Sequence, residues 1–374
     1  MTLLTLDLLE RVRSRAGALD SENAFFHEDL ADLRKIGYLR ALVPTELGGL
    51  GLSLRDVSRE QRRLATAAPA TALGVNMHLI WTGVALTLSQ RGDGSLDFVL
   101  REAVEGELFG FGISERGNDQ MLFDSSTRAE PDAGGGYRYS GTKIFTSLSP
   151  AWTRLGVHGR DDSAAGAPQL VFGFVERGAS GVEVLDDWDS LGMRATQSNS
   201  TRLDRAPVRA ERVVRRVAPG ASSDELQWAI FVVFELLLAS VYAGLGVRAI
   251  ELAIGAAKQR SRSDDPVVRA RIADAAVTLD GVDLGLDSLT RDLDEGAAAG
   301  AHWFRQASGL KVRAVAAAQA AVDAAIVVAG GSSFAASSEL ARLYRDVLAG
   351  VFQPSSVDST RTTVARDLLG PLPD

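Results

Sequence analysis

The sequence predicts an α+β chain in three parts: an N-terminal helical domain over residues 1–110, a small central β-barrel or sandwich over 111–215, and a C-terminal four-helix bundle over 216–374. Three observations carry this. Apolar residues recur at helical spacing in the outer parts, whereas the middle part alternates with the two-residue period of strands. Turn clusters at Gly134–Gly136, Asp161–Pro168 and Gly178–Gly181 separate the strands of the middle part. Finally, 46% apolar residues in 374 supply a sizeable core and exclude global disorder.

The elements follow in order. Met1–Arg15 (MTLLTLDLLERVRSR) is apolar but interrupted at Asp7, Glu10 and Arg11, so it reads as an amphipathic helix and not as an export signal. Phe25, Phe26, Leu30, Leu33 and Ile36 form a helical stripe that Gly37 ends, and Pro44 with three glycines turns the chain through Val43–Ser53. Leu64–Leu88 is helical again. Tyr137–Ser147 alternates, and Leu170–Val175 has the composition of a buried strand. Trp228–Val247 is long enough to span a bilayer and holds one charge, Glu235. Its flanks continue in helical period to Arg260, which favours a buried bundle helix. Ala314–Val328 follows as a second buried helix, stopped at Gly330 and Gly331. A soluble cytoplasmic chain without a membrane partner is expected.

Composition excludes several functions. The net charge of −8 lacks the basic footprint of a nucleic-acid binder. Without cysteine there is no disulfide, thiolate metal site or cysteine nucleophile. The four histidines, His27, His78, His158 and His302, are not at metal-ligand spacing. No phosphate-loop, dinucleotide or nucleophile-elbow string occurs.

Six strings in order resemble the acyl-CoA dehydrogenase family over nearly the whole chain: PTELGGLG (Pro44–Gly51), ISERG (Ile113–Gly117), GTKIFTS (Gly141–Ser147), GMRATQS (Gly192–Ser198), GLGVRAIELAIGAAKQR (Gly244–Arg260) and GGSSF (Gly330–Phe334) with Arg345–Asp346 in register. The resemblance implies FAD between the β domain and the C-terminal helices, in a homotetramer or homodimer. It places Phe111 and Ser114 beside the flavin, Phe145 on its ring, and Ser147 at N5. It also places Gly330 and Gly331 where a neighbouring subunit meets the cofactor, Arg260 near the pyrophosphate, and Ser356 and Asp358 near the FAD. Strand alternation would put Phe145 and Ser147 on one face, so one segment would supply wall and donor.

A desaturase of this family needs a Glu base within reach of the acyl α-proton. The usual position is Pro354, preceded by Gln353, and neither is a base. The second position is Phe234, whose neighbour Glu235 is the only acid near either site. Glu235 reads either as a catalytic base with a raised pKa or as the partner of an arginine from another helix. His78, Phe234 and Gln353 are the candidate substrate-pocket residues; His78 reads equally as a satisfied helix residue. RGNDQM (Arg116–Met121) lacks the family's phosphate-facing serine, and the stretch after Arg260 is shortened.

Three functions follow from the resemblance. The first is FAD-dependent α,β-desaturation of an acyl thioester, passing electrons to an electron-transfer flavoprotein. The second is a two-component monooxygenase that takes reduced FAD or FMN from a flavin reductase and uses oxygen. The third is a catalytically silent relative with a binding or assembly role.

Overall fold

The computed structural model describes residues 2–163, 167–220 and 224–370. Five helices come first: α1 (Leu6–Ser21), α2 (His27–Lys35), α3 (Leu54–Ala67), α4 (Pro69–Gln90) and α5 (Asp97–Glu105). Eight strands follow: β1 (Phe109–Gly112), β2 (Arg128–Pro131), β3 (Tyr137–Lys143), β4 (Arg154–Asp161), β5 (Gln169–Glu176), β6 (Val182–Val184), β7 (Thr201–Val208) and β8 (Val213–Val217). The chain closes with α6 (Glu225–Gln259), α7 (Pro266–Asp294), α8 (Ala301–Ala329), α9 (Glu339–Phe352) and α10 (Val357–Leu369).

The helix starts are chemically marked. Side chains of Ser53, Asp224, Asp265 and Ser356 accept first-turn backbone N–H groups of α3, α6, α7 and α10. Pro266 adds the fixed φ that suits a first helical position.

The strands form one sheet in the order β6-β7-β3-β2-β4-β5-β8, and β1 lies parallel to β4, sharing with β2 one edge of that strand. The last part holds five helices among the described residues, α6 to α10, one more than the four expected.

The long apolar stretch of α6 is covered by protein: α3, α4, α7 and α8 pack around it. Burial inside the protein fits its apolar composition. Two close approaches lock the layers. Gly156 on β4 lies under Trp81 of α4, where a Cβ would come within 2.2 Å of the indole, and Trp81 Nε1 donates to the Gly110 carbonyl at 2.9 Å. Gly244 of α6 meets the Arg62 carbonyl of α3, where a Cβ would sit 2.1 Å away. A side chain at Gly156 would push α4 off the sheet, and one at Gly244 would push α6 from α3.

Candidate flavin cleft

The loop after β3 is built by contacts to two other segments. Ile144 N–H donates to the Ser114 carbonyl (2.9 Å), and Leu148 and Ser149 N–H donate to the carbonyls of Thr196 and Gln197 (both 3.2 Å). The Thr146 hydroxyl is buried against the Asn199 carbonyl and the Thr201 hydroxyl. These ties hold Phe145 and Leu148 at φ of 55° and 64°, a region that side chains other than glycine rarely enter.

That geometry corrects one expectation. β3 ends at Lys143, so residues 144–149 do not alternate as a strand. The Phe145 ring stands out with 54% of its surface exposed, edge-on to Trp188 at 6.1 Å, whereas Ser147 is buried. The Ser147 hydroxyl joins a short row: it lies 2.7 Å from the Ser198 hydroxyl, which lies 2.7 Å from that of Thr196. Wall and donor come from a pinned turn rather than from one strand face.

A buried polar network supports this loop from behind. Lys143 Nζ donates to Glu115 Oε1 (2.6 Å) and to the His158 carbonyl (2.7 Å). Glu115 also accepts from Ser125, Ser126 and Thr127. Burial alone would raise the Glu115 pKa, but the Lys143 charge and these donors outweigh it and hold the carboxylate well below its usual range. His158 Nε2 donates to the Met121 carbonyl (2.7 Å), and burial beside Lys143 pushes its pKa down to about 3, so it is neutral. Ser114 is partly buried, with its hydroxyl 4.0 Å from Met121 Sδ.

On the helical side, Phe234 of α6 stacks on Phe111 of β1, ring centres 5.1 Å apart and planes inclined 25°. Phe111, expected at the cofactor, thus closes against Phe234, expected at the substrate, with Trp81 at 5.5 Å behind it. Glu235 is buried. The Ser355 hydroxyl donates to its Oε1 at 2.6 Å, and burial raises its pKa against the pull of the Lys311 charge and Ser355. No arginine or lysine lies within ion-pair distance of it among the described residues, and its Oε2 has no hydrogen-bond partner there; the Lys311 charge acts on it from α8 without direct contact. Lys311 Nζ donates to the carbonyls of Gly350 (2.8 Å), Gln353 (2.6 Å) and Ser355 (2.9 Å). Gln353 Oε1 accepts from the Tyr242 hydroxyl at 2.7 Å.

His78 sits as a satisfied residue of its helix. It is fully buried, donates through Nε2 to the Leu39 carbonyl (2.6 Å) and accepts through Nδ1 from Phe109 N–H (3.2 Å). Burial pushes its pKa down to about 4, so it is a neutral link between α4, β1 and the Leu39 turn.

Arg260 ends α6 and donates from Nη2 to the Ser332 hydroxyl at 3.0 Å, and a Cβ on Gly330 would come within 2.7 Å of its Nη1. Among the described residues it has no carboxylate within ion-pair distance, whereas Arg262 is paired with Asp265. Gly331 opens to free space beside it. Ser356 instead caps α10, and Asp358 pairs with Arg361 on the exposed surface of that helix at 3.0 Å.

These residues fit a flavin. The exposed Phe145 face with the buried hydroxyls beside it matches a flat ring, and Arg260, without a counter-charge, matches a phosphate; no contact joins the two places among the described residues. Sequence reasoning named Phe145, Ser147, Glu235 and Gln353 as candidates; it did not single out Tyr242, Lys311, Ser198 and Ser355, which the structure places in contact with them or with their segment. Lys311 had a signal, being one of four lysines in the chain and set in an Ala/Val-rich helix opposite a lone acid.

Comparison with known proteins follows the same line. Residues 229–368 match the family model for the acyl-CoA dehydrogenase C-terminal domain. The chain is 32% identical over 371 residues to L-evernosamine nitrososynthase of a Micromonospora species, covering 94% of this chain and 86% of that protein. It is 29% identical to isobutylamine N-hydroxylase of Streptomyces viridifaciens, covering 90% and 85%. The crystal structure of KijD3 in complex with FMN and dTDP-3-amino-2,3,6-trideoxy-4-keto-3-methyl-D-glucose superposes with a TM-score of 0.83 at 29% identity. That match spans 100% of this chain and 94% of that one.

Proposed function

The chain belongs to the acyl-CoA dehydrogenase-like family of flavoproteins and is a flavin-dependent oxidoreductase; from that premise we propose that it is a monooxygenase acting on the nitrogen of a small primary amine. The observation that carries this reading is the state of the two base positions. Pro354 offers no basic atom. Glu235 is buried and engaged by Ser355. Phe234, at the second position, has no basic atom either, and Glu235 beside it points about 100° away on α6, so neither base position holds a proton acceptor for desaturation. The nitrogen is favoured because the nitrososynthase and N-hydroxylase relatives are named for oxygenating amine nitrogen.

A reduced flavin bound here supplies the two electrons that split dioxygen, one oxygen atom going to the substrate and the other to water. The protein's share is to bind and to exclude water. Phe145 offers the ring an apolar face. Ser147, backed by Ser198, offers a hydroxyl at its edge. Arg260 with Ser332 offers charge and a donor to a phosphate, which both FMN and FAD carry. Phe111 and Phe234 wall the side toward the helices. The electron source is a flavin reductase acting through diffusing flavin.

Exposed Phe334, Phe352, Leu284 and Val277 lie on the helical part, 93%, 82%, 74% and 72% exposed. Apolar surface of this extent supports assembly of copies into a homodimer or homotetramer.

The test supplies FMN, a flavin reductase, NADH and a panel of primary amines under isotopically labelled dioxygen. An N-oxygenated product carrying the label supports the reading. Anaerobic bleaching of bound flavin by an acyl-CoA, with no labelled product from any amine, would replace it with desaturation.

A further inference from the structure

Three buried hydroxyls stand in line behind Phe145. Thr196 Oγ1 lies 2.8 Å from the Met193 carbonyl oxygen, Ser198 Oγ lies 2.7 Å from Thr196 Oγ1, and Ser147 Oγ lies 2.7 Å from Ser198 Oγ. No further hydrogen-bond partner of these hydroxyls occurs among the described residues. Contacts this short each need a proton between the two oxygens, and each hydroxyl owns one.

The inner end fixes the direction. A carbonyl oxygen only accepts, so the Thr196 proton lies on the Met193 carbonyl. Thr196 Oγ1 then takes the Ser198 proton, and Ser198 Oγ takes the Ser147 proton. Three protons fill three contacts, and Ser147 keeps only lone pairs for the cleft, where the resemblance implied a donor. The inner end is firmly held. The Met193 carbonyl also accepts the Thr196 N–H at 3.0 Å, the Met193 N–H donates to the buried Asp346 carboxylate, and the Thr196 carbonyl accepts the Leu148 N–H of the facing loop.

Nitrogen N5 of a flavin changes character with redox state. In the oxidised ring it is a bare acceptor; in the reduced ring it carries hydrogen and donates. We propose that Thr196, buried two steps behind the ring, is a positioning residue that sets the direction of this row and so makes Ser147 an acceptor selective for reduced flavin. Oxidised flavin gains a bond from Ser147 only when all three protons turn round, and the Thr196–Met193 bond is then lost. The assignment rests on the flavin cleft of the monooxygenase reading and not on the amine as substrate. It gives the chain a means of retaining flavin that arrives reduced.

The test is anaerobic calorimetric titration of the full chain with oxidised FMN and with dithionite-reduced FMN. The quantity read is the ratio of the two affinities in the wild type, Thr196→Val and Thr196→Ser. The wild type should favour reduced FMN. Thr196→Val should lower that preference about fivefold, the worth of one neutral hydrogen bond. Thr196→Ser keeps the hydroxyl and should stay within about twofold of the wild type. An unchanged ratio in Thr196→Val, or an equal fall in Thr196→Ser, would overturn the proposal. If Thr196→Val does not fold, Ser198→Ala decides: it frees the Ser147 proton for a bare N5, so the preference must fall there too. A wild type that binds neither form removes the flavin cleft and the proposal with it. Binding ratios as expected, with no amine oxygenated, would remove only the amine.

Discussion

Lys143 donates to Glu115 at 2.6 Å, and neither side chain reaches solvent. The pair joins the turn after β1 to the end of β3, the two places from which Ser114 and Phe145 are displayed. Lys143→Met should cost about 3–5 kcal/mol at pH 7, because it leaves a buried carboxylate without its cation. The Glu115 pKa is held below that of an unfolded glutamate. Its contribution is therefore complete above about pH 4.3 and is lost as the pH falls further. In the variant the carboxylate prefers its proton, so the gap between the two proteins should narrow as the solution is acidified. Denaturant unfolding at about pH 7, 4.5 and 3 checks these statements.

Asp346 poses the opposite case. Burial pushes its pKa up to about 6 against the Met193 N–H it accepts and the charges of Arg342 and Arg345. A folded pKa above the unfolded one means that the folded state binds the proton more tightly. The cost of the charge is absent below about pH 4, grows between pH 4 and 6, and is full above pH 6. Asp346→Asn keeps an acceptor for Met193 and should stabilise the protein by about 1–2 kcal/mol at pH 7.5, with no gain at pH 4. A variant less stable than wild type at pH 7.5 would mean that the two arginines outweigh burial.

Much of this was legible in the sequence, for identifiable reasons. Periodicity separated helices from strands because each face must meet a core of matching period, and strings such as GTKIFTS and GMRATQS marked the two loops that meet at Ser147 and Ser198. The backbone of Phe145 was not legible. Its positive φ is imposed by contacts to Ser114, Asn199 and Thr196, which lie 31 to 54 residues away, and no local pattern announces them. Glu235 was visible as a charge in an apolar helix, but its partner, Ser355, came from the turn between α9 and α10. His78 likewise owes its role to two backbone groups outside its own helix.

Arg260 should act on the phosphate of the cofactor and not on its ring. Arg260→Ala is expected to weaken FMN binding about 10–100-fold while leaving riboflavin affinity unchanged, as loss of one charged donor implies. Raising salt should weaken FMN binding in the wild type more than in the variant. Equal losses for FMN and riboflavin would remove Arg260 from the phosphate site.

The hydroxyl row gives a smaller effect. Ser147→Ala removes one neutral hydrogen bond at the ring and should cost about 1 kcal/mol, or roughly fivefold in flavin affinity. Ser198→Ala, one step behind, should cost less. Flavin fluorescence titration of the two variants orders them; a larger loss in Ser198→Ala would place the flavin contact on that residue instead.

The most direct measurement is a crystal structure of the protein soaked with FMN. The account predicts ring density against the exposed face of Phe145, with the Ser147 hydroxyl at hydrogen-bond distance from the ring. Saturating FMN with its ring bound elsewhere, and Phe145 still facing solvent, would contradict it.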